Sequence, residues 1–86
     1  MVKYTVQGTA KSTITYTDQN GKTQAVTNAD SNWTMSFSSS DNGLTLKLTA
    51  VSADGSNVGG KIYIDSKESA QDNGGTSNIS ISATLP

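Results

Sequence analysis

The chain has 86 residues, six Lys and no Arg or His against seven acids, and a net charge of −1. That balance excludes the basic face nucleic-acid binding needs, and without Cys there is no disulfide or thiolate metal site. No apolar run approaches the roughly 20 residues of a membrane-spanning helix, and a chain of this size buries only about 60–65% of its unfolded surface, so the core must hold without a covalent staple.

Read from the amino terminus, alternation with a period of two recurs and no helical i, i+3, i+4 pattern is sustained. Val2, Tyr4 and Val6 alternate with Lys3, Thr5 and Gln7, then Ile14 and Tyr16 with Thr13, Thr15 and Thr17. Trp33, Met35 and Phe37 alternate with Asn32, Thr34 and Ser36. Leu44, Leu46, Leu48 and Ala50 alternate with Thr45, Lys47 and Thr49. Ile62 and Ile64 flank Tyr63, and Ile79, Ile81 and Ala83 alternate with Ser80, Ser82 and Thr84. Successive strand side chains point to opposite faces, so each set marks one buried and one wet face.

Turn signals divide these runs. Asp18-Gln19-Asn20-Gly21 carries an Asn-Gly pair, a strong hairpin signal. Asp41-Asn42-Gly43, Asp54-Gly55-Ser56-Asn57 and Asp72-Asn73-Gly74-Gly75 are further breakers. Gly8 and Gly59-Gly60 suggest bulges or close backbone approach. About seven strands are predicted, near 2–7, 11–17, 22–28, 32–38, 44–52, 58–65 and 77–85. They form one domain over residues 1–86, an antiparallel β-sandwich of immunoglobulin-like architecture. The Cys…Trp…Cys signature of true immunoglobulin domains is absent.

Trp33, Met35 and Phe37 are predicted to anchor the core, with Trp33→Ala costing about 3–5 kcal/mol. The competing reading sets Trp33 at a strand end as a stacking platform. The catalytic inventory is thin, because nucleophile arrangements that depend on His or Cys are impossible, and a sandwich this small offers little room for a cleft of about 300 Å3. No catalytic, cofactor-binding or metal-binding residue is assigned, and an enzyme is not expected. Asp18, Asp41, Asp54 and Asp72 stand where turns are; calcium ligation is conceivable for such oxygens, but turn capping by their own side chains is the preferred reading. In Asp65-Ser66-Lys67-Glu68, Asp65-Ser66 is expected to turn the chain outward and Lys67-Glu68 to form a wet connector. Tyr63, Asp65 and Lys67 are the candidate partner contacts.

High Ser and Thr with few charges suits an exported bacterial β-domain. The chain resembles the MmpS-type small membrane-associated proteins. The resemblance rests on Tyr4, Val6 and Gly8; on Ile14 to Asp18 with Asn20 and Gly21; on Trp33; on Leu48 with Ala50; and on Lys61 to Asp65 with Lys67. Asn32 stands where that family usually has Pro, and Ser66 where it has Gly. The resemblance implies a β-sandwich held outside the cytoplasmic membrane by an anchor absent from this chain, the present sequence being a mature extracytoplasmic fragment. It also implies no catalytic residues, and an accessory role beside lipid and siderophore exporters. The expected partner is a protein of the cell envelope, with no nucleic acid, and the chain is expected to be a monomer or a weak edge-strand dimer. The alternatives are a carbohydrate- or surface-binding adhesive domain, favoured by aromatics grouped on one face, and a structural spacer.

Overall fold

In the computed structural model, which describes residues 1–8, 10–30, 32–38 and 43–85, the period-two alternation becomes two stacked antiparallel sheets. The strands are β1 (Val2–Gly8), β2 (Ser12–Thr17), β3 (Thr23–Ala29), β4 (Asn32–Phe37), β5 (Thr45–Ser52), β6 (Val58–Ile64), β7 (Lys67–Thr76) and β8 (Asn78–Thr84). One sheet has the order β4-β1-β6-β7 and the other β3-β2-β5-β8. The likeness to immunoglobulin domains is one of architecture, since consecutive strands here change sheet at most connections.

All seven expected strands are present. The eighth, β7, occupies residues read from the sequence as a wet connector and a breaker. Lys67 and Glu68 therefore open a strand, and Asp72 to Gly75 lie inside it. Asp65 and Ser66 do make the turn. Both have positive φ, 52° and 68°, the backbone of a two-residue type I′ hairpin. The chain folds straight back, so Lys67 pairs with Ile64. β7 was illegible because nothing in it alternates; Ala70 is its one half-buried apolar side chain, and the ladder to β6 holds it. The ladder shifts register twice, and Gly74 and Gly75 sit at φ 89° and 109°.

The core is built from the inner faces of the central strands. Val2, Tyr4, Val6, Ile14, Leu46, Leu48, Ala50, Val58 and Ile62 are buried, joined by Ile79 from β8 and by Leu85. Tyr4 lies at its centre, fully buried, and its hydroxyl donates to the Thr17 carbonyl at 2.7 Å. Burial pushes the Tyr4 hydroxyl well above its usual pKa, with the Asp18 carboxylate and Tyr16 adding to the effect. Gly60 faces inward where the sheets come closest. A Cβ there would stand 2.5 Å from the Ile79 Cδ1 and 3.1 Å from the Thr5 carbonyl oxygen. Gly60 therefore marks close approach, and the register shift between Val58 and Gly60 puts an irregularity of the ladder at the same pair, so both readings its sequence allowed are met.

Trp33, Met35 and Phe37 do share the inner face, but they cover the flank of the core and not its centre. All three are half-buried. Trp33 and Phe37 pack against the buried cluster. The reason is strand order, because among the described residues β4 is an edge strand, paired only with β1. Alternation reports which way a side chain faces and says nothing about how many strands flank it.

Candidate interaction surface

The two flanks of the sandwich differ. Across the sheets the backbones approach at β7–β8 and β6–β8, and again at β5–β6 and β1–β5. Toward β3 and β4 large side chains fill the space. There the aromatic rings form a chain, with Phe37 5.8 Å from Tyr4, Tyr4 5.8 Å from Tyr16, and Tyr16 5.6 Å from Trp33, all tilted. Four of the five aromatic residues thus hold this flank open.

The resulting groove has a volume of about 380 Å3 and is lined by Tyr16, Asp18, Gln24, Met35, Ser36 and Phe37, with Gln19 and Asn20 at its end. Its floor is apolar and its rim carries one charge. Asp18 is fixed there by turn chemistry. Its Oδ1 accepts the backbone N–H groups of Asn20 and Lys22, both at 2.9 Å, and its Oδ2 accepts the Gln24 amide at 2.8 Å. The Gln24 hydrogen bond, then that of Lys22, holds the carboxyl below its usual pKa. Gly21, at φ 78°, donates to the Asp18 carbonyl and closes the β2–β3 hairpin. The preferred turn reading of the acids also holds elsewhere: Asp54 accepts from the Ser56 N–H and from two serine hydroxyls, and Asp72 accepts from the Gly74 N–H. Asp41 lies outside the described residues.

Tyr63 is half-buried on the outer face of the β4-β1-β6-β7 sheet. Its cross-strand neighbours are Lys3 and Glu68. Lys61 pairs with Glu68 at 3.3 Å, and that contact raises the Lys61 pKa. A shallow groove of about 260 Å3 runs beside Tyr63 along Thr5, Gln7, Asn32, Thr34 and Lys61. Another of about 330 Å3 lies between Met1, Lys3, Tyr63 and Ser66. Space of the order of 300 Å3 therefore exists on this small domain, contrary to expectation, in open grooves that the strand edges create.

Asp65 and Lys67 stand near Tyr63 at the β6–β7 hairpin. Asp65 is engaged within the chain: its carboxylate accepts from the amino group of Met1 at 2.8 Å, which lowers its pKa, and its N–H donates to the Met1 carbonyl. The three sequence candidates therefore lie at one end of one sheet, with Asp65 holding the turn. The groove residues Tyr16, Asp18 and Gln24 were not singled out as a site. Tyr16 and Asp18 belong to the hairpin motif read from the sequence, but no signal there joins them to β4, because the groove exists only where two sheet edges face each other.

Fold and surface together describe a small two-sheet module with one closed flank and one open, aromatic flank. The chain belongs to the family described as Mycobacterium membrane protein, the MmpS-like proteins, whose profile matches residues 1–80. Among curated proteins none matches the chain. Family membership gives it a membrane-associated, envelope-related role. No helix among the described residues is long and apolar enough to cross a membrane.

Proposed function

We propose that this domain is a non-enzymatic module that works outside the cytoplasm by protein contact at the cell envelope, as an accessory to a transport assembly. It works at the membrane with which its family is associated. The observation that carries the reading is the open flank, where an uncharged edge strand presents Trp33, Met35 and Phe37 half-covered. Large apolar side chains left part-wet beside free backbone groups are what a docking edge offers. The transport role rests on the MmpS-type likeness alone. The test is a photoreactive residue placed at Met35, on the open flank, or at Val51, which is 51% exposed on the outer face of the other sheet. In the intact envelope a discrete covalent product is expected from position 35 and none from position 51. No product from position 35, or equal products from both, overturns the reading.

A second reading is favoured by one observation. Tyr63 stands among Gln7, Asn32, Thr34 and Lys61 along a shallow outer groove, an aromatic face amid amides and hydroxyls that suits a sugar ring. Nuclear magnetic resonance shifts confined to these residues during a glycan titration, and lost in Tyr63→Ala, would establish it. An unchanged spectrum at millimolar sugar removes it.

A further inference from the structure

The sandwich has four edge strands, and three are protected against pairing. β7 carries Lys67, Glu68 and Asp72, two register shifts and two left-handed glycines. β8 is as uncharged as β4 and pairs with β5 without a shift, and its protection is cover alone, since it lies against both β7 and β6 on the closed flank. β3 is bulged opposite β2 between Ser12 and Ile14, with Asn28 at φ 54°. Charges, bulges and cover are the usual devices that blunt an edge. β4 has none of them. Asn32-Trp33-Thr34-Met35-Ser36-Phe37 has no charge, no Gly and no Pro, and it pairs with β1 without a shift over six residues.

The strand is also complementary to itself. A two-fold axis along the strand would give parallel pairing but turn the inner face outward. An axis normal to the sheet gives antiparallel pairing and keeps both inner faces on one side. Directly opposed residues then share a face, so paired residue numbers must sum to an even value. A sum of 70 sets Met35 against its own copy and Trp33 against Phe37 of the other chain, twice. Thr34 then meets Ser36 on the outer face. Every large apolar side chain of the strand gains an apolar partner, and no like charges meet.

We propose that the open flank is occupied by a second copy of this chain, through β4 pairing antiparallel with β4 about a two-fold axis at Met35. This rests on the reading of that flank as a contact surface and names its partner. Six residues span about 20 Å, and a contact of that length falls short of the roughly 1,200 Å2 of stable complexes. The dimer is therefore weak in solution and is strengthened when both copies are tethered to one membrane, which raises their effective concentration.

Sedimentation of the wild-type chain across micromolar to millimolar concentration should show reversible dimerisation, lost in Met35→Lys, where two inward charges would oppose each other. The chain has no Cys, so single cysteines report the register. Met35→Cys should form a covalent dimer under mild oxidation. Thr34→Cys should form little, because its copies lie diagonally, about 7–8 Å apart, beyond disulfide reach. A wild-type chain that stays monomeric throughout, a Met35→Lys dimer as strong as wild type, or Thr34→Cys joining as readily as Met35→Cys overturns the proposal. If Met35→Lys fails to fold, the two cysteine variants decide. A monomeric chain whose position-35 photoproduct in the envelope joins a different protein overturns the self-pairing and leaves the contact surface standing; no photoproduct removes both.

Discussion

Along one flank β7 runs into β8 through Ser77 alone and the two strands pack together. Along the other, β3 and β4 are also consecutive, yet they border a groove floored by Tyr16, Met35 and Phe37. Residue size explains the difference. On the closed flank Gly60 has no side chain, and Ile79 drops to where a Cβ would be. On the open flank Tyr16, Trp33 and Phe37 are too large for such an approach and prop the sheets apart. The sandwich is wedge-shaped because glycine and aromatic residues stand at opposite ends of its core. The backbones pack closely where the wedge is thin, and half-covered apolar side chains lie where it is wide.

The largest test sets the centre against the wide end. Leu48 is fully buried on the central strand β5, so Leu48→Ala should cost about 2–5 kcal/mol. Trp33 is half-buried, and Trp33→Ala should cost less than the 3–5 kcal/mol of a fully buried aromatic, about 1.5–3 kcal/mol. Denaturant titration of the two variants checks the order. A Trp33→Ala loss equal to or above that of Leu48→Ala would mean the open flank carries the fold, and the comparison breaks.

That order could not be read from the sequence. Tyr4 and Tyr16 occupy equivalent places in two alternating runs, yet one is the centre of the core and the other lines a groove. Trp33, Met35 and Phe37 look like a core stripe because alternation fixes only the face. Edge or centre is decided by pairing partners far away in the chain, here Val2 to Gln7 for β4. The alternation in β1, β5 and β8 was legible because each turns one apolar face inward, led by Tyr4, Leu48 and Ile79 respectively. β7 was not, since its pairing with β6 overrides a polar, glycine-containing stretch of low strand propensity. The turn at Asp65-Ser66 was legible, but nothing in the sequence showed that Lys67 opens a strand that folds straight back on β6.

A second test uses pH, where the turn carboxylates and the buried tyrosine respond with opposite sign. The chain has no His. Asp18 and Asp54 have carboxyl pKa values below the usual 3.8 because they accept hydrogen bonds, led by those of Gln24 and Ser56 respectively. A depressed folded-state pKa gives stability that is present above the unfolded value and lost as pH falls through the folded one. Melting temperature should therefore drop only below about pH 4. Tyr4 has the opposite sign. Its raised pKa means the folded state keeps its proton, so stability is complete below pH 10, the usual tyrosine value, and is lost as pH rises above it. In Tyr4→Phe the alkaline loss should shrink. The same change leaves the Thr17 carbonyl without its donor and should lower stability at neutral pH by about 1–3 kcal/mol. A Tyr4→Phe protein that loses stability above pH 10 as steeply as wild type would place the alkaline sensitivity elsewhere.

The smallest effect sharpens the thin end. Ser66 holds φ 68° at the second position of the β6–β7 turn, and an L-residue there costs about 1–2 kcal/mol relative to its relaxed backbone. Glycine removes that strain but gives the unfolded chain more freedom, which offsets part of the gain. Ser66→Gly should therefore stabilise by about 0.5–1 kcal/mol, read as a rise in melting temperature of a few degrees. The change lies in the β6–β7 turn, with β1 standing between β6 and β4, so self-association through Met35 should be untouched. A stabilised Ser66→Gly with unchanged dimerisation would show that the two flanks act independently. A shift in dimerisation would mean that strain in the hairpin is transmitted through β6 and β1 to the open edge, and the division between a closed flank and an interaction flank would have to be abandoned.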